Sequence, residues 1–306
     1  MLDTKFLLQE LSAELNDAEQ KRQYHYRRVR PFKIAFNLGM ISALLFIVYA
    51  IIVPDDGATS SSIAGGIFML CLVIYGVKHS YEHGQYKDYF QRNVVSKIIP
   101  HLGPGFIYES RGGFTQQRLE ESYLFSYFNA CHSEDFVSGR IEGRSISFAE
   151  VKLELLSGSD STKTRTAFKG MYLEIQLSQQ FAAPCWLVRK KKRLSENDQA
   201  EIVKLNESTS KSLGKYRLYS ENAAFAQQLF SVEVINKLLT VDEDLRARKV
   251  IWGHARFAFI GNTIRIALSI RKRFMEPELS SPVTTEAFLQ QELALLEECT
   301  KLVNLV

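Results

Sequence analysis

Two long uncharged stretches near the start of the chain constrain the fold more than any other feature. Residues 34–54 and 59–77 contain no Asp, Glu, Lys or Arg. Each is about 20 residues long, which is the length that an α-helix needs to cross a hydrocarbon core of about 30 Å. The polar residues 54–62 between the apolar runs predict an external turn. The alternative is a pair of helices buried in a soluble core, but the adjacency of the stretches favours a transmembrane helical hairpin.

Basic residues flank this hairpin on the side of the chain termini. The flanks hold Arg27, Arg28, Arg30, Lys33 and Lys78, whereas the turn holds two aspartates and no Lys or Arg. Lys and Arg in short flanks stay on the cytoplasmic side, so both termini are expected to be cytoplasmic. The same side chains attract anionic lipid head groups. The lipid bilayer and its anionic lipids are therefore predicted partners.

The rest of the sequence predicts an α+β domain. Apolar alternation on both sides of Glu142-Gly143 and of Gly261-Asn262 predicts two β-hairpins. Strands that come in hairpins, without regular helical crossovers, are typical of the α+β class. The predicted organisation is a cytoplasmic amphipathic helix with a basic flank at 1–33, the transmembrane hairpin at 34–77, a juxtamembrane helix at 78–102, and a cytoplasmic domain of mainly antiparallel β-hairpins packed with helices at 103–306.

Shorter patterns predict the individual elements. Helical spacing predicts helices at 1–30, 115–125, 222–239 and 284–306, and alternation predicts strands at 136–141, 145–155, 168–177, 185–189, 216–219, 250–260 and 263–270. The helices at 1–30 and 284–306 each carry an apolar stripe. Each stripe either packs on the domain itself or contacts a protein partner or a second copy of the chain.

Four segments of the sequence resemble the conserved blocks of one protein family. They are residues 136–151, residues 167–172, residues 216–220, and residues 257–266 followed by 274–277. Together they resemble the bacterial domain-of-unknown-function 3137 family. The resemblance implies a multi-pass protein of the cell inner membrane with a cytoplasmic α+β domain, and it implies no activity. Phe168-Lys169-Gly170 is its most specific part and looks structural, with the glycine starting or bending a strand.

The most specific catalytic pattern is His79-Ser80-Tyr81-Glu82-His83, which has the H-x-x-E-H order of one class of zinc proteases. On a helix, His79 and His83 lie on one face and could share a Zn²⁺ ion, with Glu82 as the general base. The pattern lies about one turn from the membrane exit, and the sequence supplies no obvious third ligand. A polar collar at the lipid head groups is the alternative.

Two other candidates have plainer interpretations. Cys131-His132 could form a thiolate–imidazole pair, but adjacent residues rarely face each other. We therefore expect residues 129–133 to be a loop before the first long strand. His254 lies in a predicted strand and is expected to be a hydrogen-bonded residue of the sheet. The four cysteines form no C-x-x-C motif, which predicts neither a disulfide framework nor a zinc knuckle.

The densest basic run is a candidate contact for anions or lipid. It consists of Arg189, Lys190, Lys191, Lys192 and Arg193. Its plainer interpretation is the solvated end of a strand. Nucleic acid is not an expected partner, because nucleic-acid sites interleave several aromatic residues with the charges and only Trp186 is near. The sequence has no Gly-rich phosphate loop, and no cofactor is predicted.

These observations predict a binding or scaffolding module held at the cytoplasmic face of a membrane, and they favour a non-enzymatic role. One alternative is a zinc-dependent hydrolase that uses His79, Glu82 and His83. Another is an accessory subunit of a membrane transport or envelope-maintenance system.

Overall fold

The computed structural model describes residues 4–52, 54–157, 163–190, 200–205, 207–270 and 274–301. These residues form two compact units. The helical unit contains Thr4–Val94 and Glu276–Leu289, and the sheet unit contains Val95–Met275 and the residues from Gln290 onward.

Two long antiparallel helices form most of the helical unit. Its helices are α1 (Thr4–Glu10), α2 (Ser12–Ile52) and α3 (Pro54–Phe90). The hydroxyl of Tyr89 donates a hydrogen bond to Asp17 at one end. Farther along, the ring of Phe36 stacks on Phe68 and Tyr75 at centroid distances of 5.6 and 5.4 Å. The two helices run in opposite directions, because early residues of α2 meet late residues of α3.

One of the two predicted membrane spans, the one in α2, has support in the structure. Among the described residues, the segment Ser12–Tyr49 is long and apolar enough to cross a membrane. Its most apolar 18 residues are not buried inside the protein. The second predicted span, at 59–77, is not confirmed. The predicted turn at 54–62 is wrong, because α3 begins at Pro54 and continues through these residues. Proline suits the first turn of a helix, where its missing N–H has no partner to lose.

The sheet unit contains nine strands within the described residues. They are β1 (Ile107–Glu109), β2 (Ala130–Ile141), β3 (Arg144–Ser157), β4 (Lys163–Gln176), β5 (Cys185–Arg189), β6 (Glu201–Ile202), β7 (Tyr216–Ser220), β8 (Arg256–Ile260) and β9 (Thr263–Leu268). The other helices of the chain are α4 (Ser96–Ile98), α5 (Gln116–Glu120), α6 (Glu207–Ser212), α7 (Ala223–Leu229), α8 (Val232–Ala247) and α9 (Glu286–Lys301), with a π-helical turn at Gln91–Val95 and a 3-10 turn at Ile99–Leu102.

The strands form one antiparallel sheet in the order β1-β2-β3-β4-β9-β8-β5-β7-β6. The turn between β2 and β3 places Glu142 and Gly143 at φ angles of 50° and 80°, which is the left-handed conformation of a tight hairpin turn. β9 pairs with both β4 and β8. The antiparallel sheet and the separate helices confirm the α+β class. The β2–β3 and β8–β9 pairs confirm the hairpins predicted at the two turn signals.

One face of the sheet is covered by α5 and the residues that follow it. Thr115 caps α5, because its hydroxyl accepts a hydrogen bond from the backbone N–H of Arg118 at 3.3 Å. Phe125 and Phe128 pack in a core with the strand residues of this face. Trp186 is buried there and its indole N–H donates to the carbonyl of Ser122 at 3.0 Å.

Three predicted elements have different bounds in the structure. The predicted loop at 129–133 is wrong, because β2 begins at Ala130. The single helix predicted at 222–239 is two helices, since Ser231 interrupts it and caps α8 through the N–H of Val234. β8 begins only at Arg256, because the N–H of Ala255 donates to the side chain of Asp242 instead of a neighbouring strand.

Described leucines of the terminal apolar stripes are buried within the chain, and residues 302–306 of the second stripe lie outside the described residues. Leu7 of α1, Leu11 at the junction of α1 with α2, and Leu15 of α2 are 1%, 5% and 1% exposed. Leu289 and Leu293 of α9 are also buried. For these residues the structure supports packing within the chain, which is one of the two alternatives that the sequence leaves open.

Candidate functional site

A polar patch interrupts one face of the sheet where β2, β3, β4 and β9 lie side by side. Strand residues two positions apart share a face, and the register aligns two polar rows across the four strands. The first row is Ser138, Ser147, Glu174 and Arg265, and the second is Arg140, Ser145, Gln176 and Thr263. Eight polar positions on adjacent strands therefore form one continuous surface.

This surface is the floor of a cleft. The cleft has a volume of about 390 Å³. Arg118 of α5 lines it from one side, and Pro104 and Gly105 line it from the loop before β1. We name it the arginine cleft and define it by Arg118, Arg140, Glu174 and the hydroxyl residues of the two rows.

Glu174 is the buried centre of the arginine cleft, with 3% of its surface exposed. The guanidinium of Arg118 reaches one carboxylate oxygen through Nε at 2.8 Å and also through Nη2. The hydroxyl of Tyr172 donates to the other oxygen at 3.0 Å. Nε of Arg265 lies 3.6 Å from that same oxygen. Burial raises the pKa of Tyr172 well above its usual value, and the nearby Glu174 carboxylate adds to the increase.

Positive charge exceeds negative charge at this site. Among the described residues, Glu174 is the one carboxylate that lines the arginine cleft, whereas Arg118 and Arg140 line it and Arg265 lies beside its floor. Nε and Nη1 of Arg265 are buried and have no hydrogen-bond partner in the described chain. Arg140 is exposed, and the described residues provide it with no ion pair. The cleft therefore presents guanidinium groups that its own carboxylate does not neutralise.

A second charged cluster lies in the helical unit around Glu82. This carboxylate is fully buried. Nδ1 of His25 lies 2.6 Å from one of its oxygens, and Nζ of Lys78 and Nε of Arg28 lie 2.7 and 3.2 Å from the other. Burial raises the pKa of Glu82, but the hydrogen bonds from Lys78 and His25 and the charges of Lys78 and Arg28 outweigh it, so the pKa is lowered overall. The cluster ties α2 to α3.

Comparison with known proteins gives one family. The family model described as "Protein of unknown function (DUF3137)" matches residues 166–306. The match confirms the resemblance. Three of the four resembling segments lie inside it, and the segment at 136–151 lies before it. The match includes Glu174 and Arg265, whereas Arg118 and Arg140 precede the DUF3137 segment.

Two further comparisons are brief. No curated protein matches the chain. Among solved structures, the crystal structure of the mycobacterial trehalose monomycolate transport factor A, TtfA, is similar with a TM-score of 0.36 and 10% sequence identity, over 66% of this chain and 88% of that chain.

The structure brings His79 and His83 together outside the DUF3137 segment. Their rings stack with centroids 5.9 Å apart, as expected one helical turn apart. His83 lies 3.6 Å from the carboxylate of Glu276, while Glu82 binds the basic cluster described above. Within the described residues, no group of three or more His, Cys, Asp or Glu side chains could hold a metal ion. The zinc-hydrolase hypothesis stays a prediction, and no observation in the structure favours it.

Cys131 and His132 are neighbours on β2 and occupy opposite faces of the sheet. Cys131 packs against the core, and burial, with a contribution from Glu120, raises the pKa of its thiol. A raised pKa disfavours the thiolate that nucleophilic chemistry needs. His254 is hydrogen-bonded as expected, although outside a strand: its Nδ1 lies 2.9 Å from the carboxylate of Asp242.

The predicted basic surfaces are partly visible. Arg27, Arg28, Arg30 and Lys33 are exposed on α2, and Lys78 is half-buried because it binds Glu82. Arg189 and Lys190 are exposed at the end of β5, whereas Lys191, Lys192 and Arg193 lie outside the described residues.

Sequence reasoning missed the arginine cleft. A signal for it exists in two strands, because Glu174 lies between Leu173 and Ile175 and Arg265 lies between Ile264 and Ile266. A charged residue inside an otherwise apolar strand needs a partner when it is buried. The identity of the partner depends on the strand order, which the sequence does not show.

Proposed function

We propose that this protein is a membrane-anchored binding module whose α2–α3 pair crosses the bilayer twice. The single observation that carries the proposal is the uncovered apolar surface of both helices. Leu44 and Ile51 of α2 are 62% and 75% exposed, and Leu70 and Val77 of α3 are 60% and 67% exposed. Soluble proteins rarely leave contiguous apolar surface of this extent in water. Lipid is the solvent that suits it.

The antiparallel arrangement supports two crossings. In a pair of antiparallel helices the start of α2 and the end of α3 lie at the same end, where Asp17 meets Tyr89. If α2 crosses the bilayer, the adjacent apolar part of α3 is immersed with it. The exposed basic residues Arg27, Arg30 and Lys33 are near this end, which favours its placement on the cytoplasmic side with anionic lipid head groups nearby.

The binding role follows from what the membrane anchor would accomplish. A hairpin anchor holds the chain at one face of the membrane and raises the local concentration of its binding surfaces there. We propose that a protein partner or a second copy of the chain binds at this face. The terminal leucine stripes are not the proposed contact, since the leucines named above are buried within the chain.

Cysteine labelling of intact cells tests the two-crossing topology. Gln20→Cys lies before the first apolar stretch, Ala58→Cys between the stretches, and Gln85→Cys after the second; Gln20 and Gln85 are both exposed. With a membrane-impermeant maleimide, we expect labelling of position 58 in intact cells and of positions 20 and 85 only after permeabilisation. The unmodified chain is the control for the native cysteines.

Two other results contradict defined parts of the proposal. Labelling of position 20 or position 85, but not both, in intact cells would show a single crossing. Recovery of the chain in the soluble fraction, with labelling at all three positions only after lysis, would rule out the membrane anchor.

A further inference from the structure

We propose that the arginine cleft binds the phosphate monoester group of a small ligand. The cleft's volume of about 390 Å³ is within the range of ligand pockets in proteins, roughly 300–1,000 Å³. All residues that define it belong to the sheet unit. The site therefore rests on contacts within one compact part of the chain.

Charge selects the class of ligand. Arg118 and Arg140 line the cleft and Arg265 lies beside its floor, whereas Glu174 is the one carboxylate that lines it among the described residues. These four side chains leave an excess of two positive charges. A phosphate monoester carries about −1.5 to −2 at neutral pH, and a monocarboxylate carries −1. A dianion therefore matches the excess, and guanidinium groups bind phosphate oxygens through paired N–H donors.

Glu174 acts as the positioning residue. Its two oxygens accept hydrogen bonds from Arg118 and from Tyr172. The interaction fixes the plane of the Arg118 guanidinium at the edge of the cleft. Arg265 lies beside the floor, with its Nε 3.6 Å from the Glu174 carboxylate, and adds positive charge there without lining the cleft.

Hydroxyl groups complete the recognition surface. Ser138, Ser145, Ser147 and Thr263 line the floor, and each hydroxyl can donate to a phosphate oxygen or accept from a ligand hydroxyl. Arg140 is exposed at the rim and has no ion pair within the described chain. It can move to a bound phosphate without breaking an existing interaction.

Calorimetric titration of the full chain in detergent at pH 7.5 tests the site. The probes are glycerol 3-phosphate, which is a soluble phosphate monoester, and dihexanoyl phosphatidic acid, which presents the same group as a lipid. Sodium acetate is the monocarboxylate control. The test variant is Arg140→Gln, because its loss uncovers no buried charge. The matched control is Arg165→Gln, an exposed arginine of β4 outside the cleft.

We expect saturable binding of glycerol 3-phosphate, weakened about tenfold or more in Arg140→Gln, as loss of a charge-assisted hydrogen bond predicts. Arg165→Gln should bind like the wild type, and acetate should bind more weakly. Binding of phosphatidic acid alone, with the same response to Arg140→Gln, assigns the phosphate group to a lipid. Binding of neither probe, or equal binding by Arg140→Gln and wild type, overturns the proposal.

The assignment rests on the proposed binding role and deepens it, but the two can fail separately. Absence of phosphate binding leaves the labelling pattern at positions 20, 58 and 85 unchanged. A soluble chain leaves the titration of the cleft unchanged.

Discussion

At the scale of single residues, Gly170 shows how tightly the sheet is built. A Cβ atom at this position would lie 2.0 Å from the carbonyl oxygen of Leu268 on β9 and 2.9 Å from the ring of Phe168. The first of these is a backbone atom of a paired strand, which cannot move without disrupting the sheet. The glycine is required by the close approach of β9, and this explains the structural character of the Phe168-Lys169-Gly170 motif.

We predict that Gly170→Ala destabilises the protein by about 3 kcal/mol or more, because overpacking at a rigid contact costs 1–3 kcal/mol and here the obstacle is backbone. Denaturant unfolding followed by tryptophan fluorescence measures it, since Trp186 is buried in the same sheet. Gly84→Ala is the control: its Cβ would meet nothing within 4 Å, and in a helix it should slightly stabilise. Equal stability of Gly170→Ala and wild type would contradict the β4–β9 contact.

At the same scale, Arg256 shows how a charged side chain is held against the core. The guanidinium of Arg256 lies over the neighbouring rings of Phe125 and Phe168, at 5.8 and 5.2 Å from their centroids, and donates to the carbonyl of Leu124 at 2.8 Å. Burial lowers its pKa to about 10. The guanidinium is stabilised by aromatic faces and one carbonyl. It holds the segment after α5 on the sheet face where that segment covers the core.

At the scale of elements, the sequence predicts best where the signal is local. The hairpins at Glu142-Gly143 and Gly261-Asn262 are confirmed, because two turn residues specify their pairing. The turn at 54–62 is wrong, because polar residues also suit the first turns of a helix that starts at Pro54. A hydropathy pattern alone does not show that a helix continues through these polar residues.

The pairing of α2 with α3 gives a prediction for pH. The pKa of Glu82 is lowered in the folded protein from its ordinary value of 4.5. The stabilisation by its charge is therefore complete above about pH 4.5 and is lost as pH falls through the lowered pKa. We predict that Glu82→Gln destabilises the protein by about 2 kcal/mol near pH 7, as loss of a hydrogen-bonded buried charge does, and that this difference from wild type shrinks toward pH 3.

Thermal unfolding followed by circular dichroism at pH 3 to 7 measures the difference. Glu233→Gln is the matched control, because Glu233 forms an exposed pair with Lys237 one helical turn away, and such pairs contribute little. A difference between Glu82→Gln and wild type that is constant across this pH range would show that the carboxylate's charge is not the stabilising feature.

At the scale of the whole molecule, the order of strands explains why the arginine cleft could not be predicted. Its floor needs β2, β3, β4 and β9 side by side. In the sequence, however, β4 and β9 are separated by the four strands β5 to β8. Ser147 and Glu174 are neighbours through a local hairpin, whereas Glu174 and Arg265 meet only through this long-range insertion. Short-range patterns contain no information about it.

The same topology predicts an order of folding. Ile141 pairs with Arg144 across two residues, whereas Gln176 pairs with Thr263 about 90 positions later. Closing the longer loop costs about 3 kcal/mol more in chain entropy, so long-range pairing should be late. In pulse-labelled hydrogen exchange during refolding of the full chain in detergent, we expect amides of the β2–β3 hairpin to gain protection before those shared by β4 and β9. Simultaneous protection of both pairs would mean that the sheet forms in one step, with β9 already in place when the hairpin closes.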